Sequence, residues 1–202
     1  MSTAPNIALA ITGASGIQYG IRLLECLLAA GCHVNMMYSD SARIVALEEM
    51  ELVLSENRSE TLSVFEKRFN AQPGQLRIYG IQDWFSPLAS GSNPPDAYVI
   101  CPCSMASVAK IAAGMADDLI TRVADVVLKE RRKLVLVPRE SPFSSIHLEN
   151  LLRLSQAGAV ILPPSPGFYH RPTQISDLID FVVARILDQL GVQHSLIRRW
   201  GS

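Results

Sequence analysis

The chain has 202 residues, a formal net charge of -1, and a sequence of which 49% is hydrophobic. This length fits one α/β domain with a substantial core, so we take residues 1–202 as a single domain. The balanced charge gives no indication of a nucleic-acid or membrane surface, and no apolar run is long enough to span a bilayer.

The N-terminus lacks a basic segment followed by an apolar one, so the sequence predicts no signal peptide and a cytoplasmic protein. The cysteines form no CxxC pair, and no histidines have the spacing of zinc ligands. We therefore expect no metal and reduced, structural thiols at Cys26, Cys32, Cys101 and Cys103.

A glycine-rich turn follows the first predicted strand. The β-formers Ile7–Ile11 end at Thr12, Gly13–Gly16 follow, and an apolar period typical of a helix begins at Ile17. Such a turn directs backbone N–H groups and the positive end of the helix dipole at one point, which favours an anion, usually a phosphate. The alternative is a turn that only joins strand to helix.

Strands and helices alternate along the rest of the chain. Further strands are predicted over 32–38, 76–81, 97–101, 133–137 and 158–162. Helices are predicted over 56–71, 104–114, 119–132, 144–156 and 174–190. Another predicted helix has its N-cap within residues 39–41 and ends at residue 51. Residues 86–96, rich in Pro, Gly and Ser, are predicted to form a loop. This alternation predicts a Rossmann-like, doubly wound parallel sheet with helices on both faces.

Ligands of such sheets bind at the carboxyl ends of the strands. Four segments follow predicted strands, and small hydroxylated residues recur among them: Gly13–Gly16, Ser39, Pro102–Ser107 and Pro138–Ser145. Together they favour a polar, phosphorylated cofactor with a flat ring. Each serine taken alone is better explained as a helix cap, and only the set at one edge of one sheet favours a ligand.

The sequence supports two interpretations for several charged side chains outside these segments. Arg122 and Lys129 share a face of one predicted helix with Asp125 between them, which fits either a solvated ion-pair ladder or a second phosphate site. Arg185 lies at the edge of an apolar stripe, where it either snorkels or reaches a site. Glu49 lies in an acidic stretch and is not distinguished by the sequence alone.

Two further candidates lie late in the chain. Glu140 follows Arg139, and the two fit a surface ion pair. Tyr169 lies in a proline-bounded, apolar loop over 163–172, which is typical of a lid or of a plain turn.

Four stretches together resemble the UbiX flavin prenyltransferases, in order and over nearly the whole chain. They are TGASGIQYG, CPCSMAS, LKERRKLVLVPRESPFSSIHLENLLRL and AGAVILPPSPGFYH. The stretches VPRESPFSSIHLENL and PGFYH are specific, whereas TGASG alone is common. Met105 stands where some members have a smaller residue.

The resemblance implies an enzyme that joins a dimethylallyl group from dimethylallyl monophosphate to N5 and C6 of reduced FMN. The product, prenylated FMN, would serve a UbiD-type decarboxylase, including the one of ubiquinone biosynthesis. Members of the family need no metal and form homododecamers in which subunits share the site. The tail from Ser195 to Ser202, with Arg198, Arg199 and Trp200, would pack on a neighbouring subunit or fray.

By the same resemblance, the residues that hold FMN would be Gly13, Ala14, Ser15, Ser39, Ser104, Met105, Ala106, Ser107 and Arg139. Those that hold the substrate phosphate would be Arg122, Lys129, Glu140, Tyr169 and Arg185. Catalysis would fall to Ser15 and Glu49 near flavin N5 and to Glu140 at the phosphate. Phosphate departure without a metal needs cations already in place, and aromatic walls such as Trp84 would stabilise allyl-cation character.

Three other classes stay open. An FMN-dependent cysteine decarboxylase shares the fold but uses a catalytic histidine and a Pro-Ala-Ser-Ala-Asn-type motif, where this chain has Pro102 to Ser107 without Asn. A short-chain dehydrogenase needs a Tyr with Lys four positions on, and no tyrosine here has one. A flavin-carrying protein would bind FMN and release it unaltered.

Overall fold

The computed structural model describes residues 4–198, so Arg199 and Trp200 of the predicted tail lie outside the described residues. Six strands form one sheet in the order β3-β2-β1-β4-β5-β6, and every neighbouring pair is parallel. This confirms the doubly wound parallel sheet, since the chain winds outward in both directions from the centre. The strands are β1 (Asn6–Ile11), β2 (His33–Tyr38), β3 (Leu76–Tyr79), β4 (Ala97–Cys103), β5 (Lys133–Pro138) and β6 (Val160–Ile161).

Helices cover both faces of this sheet, which explains why its strands are almost continuously apolar. Buried residues of α1, α3 and α7 pack on one face, and those of α4, α5 and α6 pack on the other. The helices of the described chain are α1 (Ile17–Ala29), α2 (Asp40–Met50), α3 (Arg58–Phe69), α4 (Met105–Ala112), α5 (Leu119–Lys129), α6 (Ser145–Gln156) and α7 (Ile175–Leu190), with a 3₁₀ turn at Pro87–Ala89.

Helix α1 lies unusually close to the sheet and is tied to α7. A Cβ on Gly20 would come within 2.3 Å of the Cys101 carbonyl oxygen, so only glycine permits this approach. On the far side of α1, the Arg22 Nε donates to the Asp180 Oδ1 at 2.7 Å. These contacts fix the position of the turn that precedes α1.

The strand bounds differ from the predicted ones by more than one residue in three strands. Strand β4 continues through Pro102 to Cys103, because the Pro102 carbonyl still accepts the Thr12 N–H at 3.2 Å and Cys103 pairs with Pro138 of β5. Strand β3 ends at Tyr79, and β6 is reduced to Val160–Ile161. Both shortened strands lie at the edges of the sheet, where only one neighbour defines their length.

Candidate functional site

A cleft of about 530 Å³ opens at the carboxyl edge of the sheet, on the side of α1 and α7. Residues from five separate parts of the chain meet there, as the rule for parallel sheets predicts. The lining residues are Ser15, Gly16, Gln18, Tyr19, Glu49, Arg139, Pro164, Ile175 and Ile179. The cleft therefore combines a hydroxyl, a carboxylate and a guanidinium with apolar walls.

Glu49 places its carboxylate on the N-terminus of α1. Its Oε2 accepts the N–H groups of Gly16 at 2.9 Å and Ile17 at 3.0 Å, and its Oε1 lies 3.2 Å from the Gly16 nitrogen. The sequence predicts a phosphate at this point. In the structure the Glu49 carboxylate binds the N–H groups of Gly16 and Ile17, because α2 packs against α1 and this long acidic side chain reaches across. The predicted phosphate contacts of residues 13–15 stay a prediction.

The N-termini of α1 and α2 abut at Gly13. A Cβ there would lie 2.3 Å from the Ser41 Cβ, so the close packing of the two segments requires glycine. Ser39 caps α2, since its hydroxyl accepts the Ala42 N–H at 3.1 Å. The predicted flavin residues 13–15 and Ser39 therefore lie at neighbouring strand ends, with Ala14 buried and Ser15 exposed.

Thr12 connects the glycine turn to the segment that follows β4. Its hydroxyl donates to the Pro102 carbonyl at 3.0 Å and accepts the Ser104 N–H at 2.7 Å. Ser104 in turn caps α4, because its hydroxyl accepts the Ser107 N–H at 3.2 Å. No feature of the sequence had distinguished Thr12.

The predicted flavin segment 104–107 presents its residues unequally. The Met105 side chain is buried among the core residues of α4, so only its backbone is available to a ligand. Ala106 is exposed and Ser107 is half-buried, with the Ser107 hydroxyl 3.0 Å from that of Ser104. The larger side chain at 105 is therefore accommodated inside the core.

Arg139 follows β5 and brings a cation into the cleft. Its Nε is buried and has no hydrogen-bond partner within the described chain, which leaves one donor for a ligand. Glu140 is half-buried beside it, and its Oε1 accepts the Ser141 N–H at 3.1 Å. An anionic ligand in the cleft would satisfy the Arg139 donor.

The proline-bounded loop 163–172 packs on α7 through one aromatic ring. A Cβ on Gly167 would lie 2.9 Å from the Phe181 Cζ, and His170 stacks on the same ring with centroids 5.4 Å apart. Pro164 of this loop lines the cleft, while the Phe168 and Tyr169 side chains are 66% and 85% exposed. The loop therefore forms a wall of the cleft and turns Phe168 and Tyr169 outward.

Lys129 does not reach the cleft in this chain. It lies at the end of α5, four residues before Lys133 begins β5, and therefore at the amino edge of the sheet. Arg139 lies past the opposite end of β5, and a six-residue strand spans about 20 Å. The Lys129 ammonium pairs instead with Glu130, beside Gly91.

Arg122 is also separated from the cleft, because α5 covers the opposite face of the sheet from α1 and α7. Its guanidinium donates to the Ala89 carbonyl at 3.0 Å and to Asp125 at 2.7 Å. A single chain therefore does not bring Arg122, Lys129 and Arg139 around one phosphate.

Arg185 lies on α7, six residues beyond Ile179 of the cleft, and its side chain is 52% exposed. Its Nη1 donates to the Asp188 Oδ2 at 2.7 Å. The other Asp188 oxygen lies 3.2 Å from the Nε2 of His194, whose side chain is only 6% exposed. A buried histidine and a carboxylate therefore orient this arginine.

Sequence reasoning also missed the walls of the cleft. Tyr19, Ile175 and Ile179 line it, whereas Trp84 lies on the loop after β3 with its indole Nε1 donating to the Gln82 Oε1 at 3.1 Å. Burial, and secondarily the proximity of Cys101, raises the pKa of Tyr19. The helical periods of α1 and α7 identify these residues as apolar, but not which end of each helix borders a ligand.

Two features are absent from the described residues 4–198, a metal-binding cluster and a membrane-spanning helix. These residues contain no group of three or more His, Cys, Asp or Glu side chains arranged to hold a metal ion. Within the same residues, no helix is long and apolar enough to cross a bilayer. The four cysteines are free thiols, and burial raises the pKa values of Cys101 and Cys103.

This fold and cleft define a nucleotide-binding α/β protein of the flavoprotein class, and a family model described as Flavoprotein matches residues 1–187. The flavin prenyltransferase UbiX of Pseudomonas aeruginosa is 51% identical over 201 residues, covering 100% of this chain and 96% of that protein. The chain belongs to the flavoprotein family and, within it, to the UbiX flavin prenyltransferases.

Two solved structures extend the likeness to three dimensions. A crystal structure of AnUbiX in complex with FMN and dimethylallyl pyrophosphate matches with a TM-score of 0.88 at 38% identity, covering 99% of each chain. A dodecameric FMN-dependent UbiX-like decarboxylase from Escherichia coli O157:H7 matches with a TM-score of 0.86 at 38% identity, covering 97% of this chain and 99% of that one.

Proposed function

We propose that this chain is a flavin prenyltransferase that transfers a dimethylallyl group from dimethylallyl monophosphate to N5 and C6 of reduced FMN. The observation that carries the proposal is the cleft in which the Glu49 carboxylate, the Ser15 hydroxyl and the Arg139 guanidinium meet. The names of its relatives and the FMN complex of a similar structure support the same chemistry. Flavin N5 would lose its proton and bond to the dimethylallyl group as the C–O bond to the phosphate breaks, releasing inorganic phosphate. C6 would then bond to the other end of the allyl group, whose double bond takes up a proton while C6 loses its own.

The cleft fits FMN by its chemistry. Backbone N–H groups and hydroxyls of residues 13–15, Ser39 and 104–107 would hold it at adjoining strand ends, and the unpartnered Nε of Arg139 would donate to it. Tyr19, Ile175 and Ile179 offer apolar surface for a flat ring. Gly13 lets the start of α2 pack directly on this bend, because a Cβ there would lie 2.3 Å from the Ser41 Cβ.

Glu49 and Ser15 would manage protons beside the flavin ring. The two N–H groups on Glu49 Oε2 fix the position of the carboxylate at the N-terminus of α1. Its Oε1 keeps lone pairs for a proton of the substrate. Ser15 is exposed in the same cleft and would relay that proton through its hydroxyl.

The phosphate of the prenyl donor would need cations that a single chain does not assemble. We infer that the protein forms a homododecamer, as the similar Escherichia coli structure does, and that a neighbouring subunit brings Arg122 and Lys129 to the cleft. Arg185, Tyr169 and Glu140 complete the proposed set around the phosphate. Cations already in place stabilise a departing phosphate without a metal.

Three further parts of the proposal come from the sequence. Residues 1–202 form one domain, the protein is cytoplasmic, and its product is prenylated FMN that passes to a UbiD-type decarboxylase of ubiquinone biosynthesis. Transfer to such a decarboxylase is tested by adding its apoprotein to the reaction. Decarboxylation that needs both proteins and the prenyl donor is the expected result.

The decisive experiment incubates the protein with reduced FMN and dimethylallyl monophosphate without oxygen. A flavin heavier by one five-carbon unit, together with released phosphate, is the expected result. Unaltered FMN would instead support the flavin-carrying alternative. Oxidative decarboxylation of a C-terminal or pantothenoyl cysteine would support the other alternative, although no histidine lines the cleft among the described residues.

A further inference from the structure

Thr12 lies at the point where the sheet changes winding direction. The strand order places β1 and β4 side by side at the centre, with the chain winding outward from each. Ligands of doubly wound sheets bind in the crevice at this point, beyond the carboxyl ends of the two strands. Thr12 follows β1 directly and is 2% exposed, so it lies inside the wall of that crevice.

The regular pairing of β1 with β4 stops before this edge. The last paired residues are Ala10 and Ile100, and the register of β4 against β5 shifts between Ile100 and Cys103. Beyond that point Thr12 supplies the connections itself. Its N–H and hydroxyl both donate to the Pro102 carbonyl, and the hydroxyl accepts the Ser104 N–H at 2.7 Å.

We propose that Thr12 is a positioning residue that sets the separation of the two turns flanking the flavin crevice. One turn is Gly13–Gly16 and the other is the start of α4 at Ser104. The proposal rests on the proposed binding of FMN at this edge, but not on prenyl transfer. Thr12 itself does not contact the flavin.

The hydroxyl is suited to this role because it makes both bonds at once. Valine has nearly the same shape, but it would leave the half-buried Ser104 N–H without its acceptor and remove one of two donors to the Pro102 carbonyl. The start of α4 would then be free to shift, and the Ser104 cap would move with it. Serine keeps both bonds and loses only a methyl group.

The test compares Thr12→Val with Thr12→Ser. We expect Thr12→Val to raise the dissociation constant of FMN and the KM for FMN at least tenfold, and Thr12→Ser to stay within threefold of the wild type. Binding is measured by quenching of flavin fluorescence in the full-length protein. The KM for dimethylallyl monophosphate should change less than the KM for FMN.

Thr121→Val is the matched control. Thr121 is also 2% exposed, and its hydroxyl accepts the Asp118 N–H at 3.3 Å in the capping box of α5, a separate helix from α1 and α4. We expect this variant to lower the melting temperature while FMN binds as in the wild type. Equal losses of FMN affinity in Thr121→Val and Thr12→Val would show a general loss of stability and overturn the proposal.

The proposal would also be overturned if Thr12→Val bound FMN with the affinity of the wild type. If that variant does not fold, Thr12→Ala takes its place against the same control. The protein could bind FMN with an affinity that depends on Thr12 and yet transfer no prenyl group. That result would support the positioning role of Thr12 and refute the proposed function. The two proposals therefore fail separately.

Discussion

The carboxylate of Glu49 binds the N–H of Gly16 at 2.9 Å and so occupies the helix end where this kind of fold commonly places a phosphate. The arrangement joins α2 to α1 across the mouth of the cleft. It also means that α1 stabilises a negative charge of the protein itself. A carboxylate fixed in this way at the cleft is a suitable proton acceptor.

Glu49→Gln is expected to abolish most turnover while FMN still binds. Glutamine keeps an oxygen for the Gly16 and Ile17 N–H groups but has neither the charge nor the basicity of the carboxylate. We expect kcat to fall by about 100-fold or more, and stability to fall by about 0.3–1 kcal/mol as the charge–dipole interaction is lost. Single-turnover formation of the heavier flavin measures the first effect, and thermal melting measures the second.

Glu48→Gln is the control for this substitution, because the neighbouring Glu48 is exposed and outside the cleft lining. It should leave kcat and melting temperature unchanged. Full turnover in Glu49→Gln would remove Glu49 from the proposed chemistry.

Arg139→Ala is expected to weaken FMN binding, since the guanidinium is the cation among the cleft-lining residues and its Nε has no partner in the described chain. Loss of a charge-assisted bond corresponds to about 10–100-fold in the dissociation constant. Fluorescence quenching measures it, and the exposed Arg132→Ala serves as the control. If both variants bind FMN as the wild type does, Arg139 does not hold the flavin.

Asp188→Asn is expected to impair binding of the prenyl donor without affecting FMN. The Asp188 carboxylate lies between Arg185 and His194, so an amide would loosen the orientation of the arginine. We expect the KM for dimethylallyl monophosphate to rise about 5–20-fold, as for weakening one hydrogen bond to a charged group. Asp117→Asn removes a carboxylate paired with Lys110 instead and should leave this KM unchanged. A normal KM in Asp188→Asn would show that Arg185 needs no such orientation.

Much of this architecture was predictable from local patterns. The bounds of α7 follow from its apolar period, and the turn at Gly13–Gly16 follows from β-formers that give way to glycines. The carboxyl-edge rule also predicts Ser15 and Arg139 at one edge of the sheet, and both line the cleft. These inferences succeeded because each depends on spacing along the chain.

Glu49 could not be selected in the same way. Its role depends on how α2 is rotated against α1, and α2 carries too few buried residues, Ala42 and Ala46, for its sequence to reveal that rotation. The position of Lys129 was in principle predictable, because a residue just before a strand lies at the amino edge of a parallel sheet. The hydrogen bonds of Thr12 to Pro102 and Ser104 were not predictable from the sequence. They replace the pairing of β1 with β4, and only the structure shows where that pairing ends.

Stability is expected to fall as the pH rises above about 8.5, the ordinary pKa of an exposed thiol. Burial raises the pKa values of Cys101 and Cys103 in the folded protein. Their contribution is therefore complete below the unfolded pKa and is lost as the pH rises towards the folded value, because only the unfolded thiols ionise. Melting temperatures from pH 8 to 11 should decline less steeply for Cys101→Ala than for the wild type, and parallel curves would contradict the assignment.

Two inactive variants are expected to restore activity when their subunits mix. Lys129 and Arg139 lie at opposite edges of the sheet in one chain, so a site that needs both must draw them from different subunits. Lys129→Ala and Arg139→Ala would each be nearly inactive alone when the FMN concentration is kept well below the raised dissociation constant of Arg139→Ala. After dissociation and joint reassembly in equal amounts, about a quarter of the sites would carry both native residues if each site joins two chains.

The activity of this first mixture is compared with that of each variant reassembled alone. A second mixture contains equal amounts of the wild type and of a double variant that carries both substitutions. That second mixture should also show about a quarter of the wild-type activity, because only sites built from two wild-type chains are intact. A site confined to one chain predicts no recovery in the first mixture and about half in the second. Since the two arrangements differ in both mixtures, the pair of measurements decides whether the phosphate-binding cations come from a neighbouring subunit.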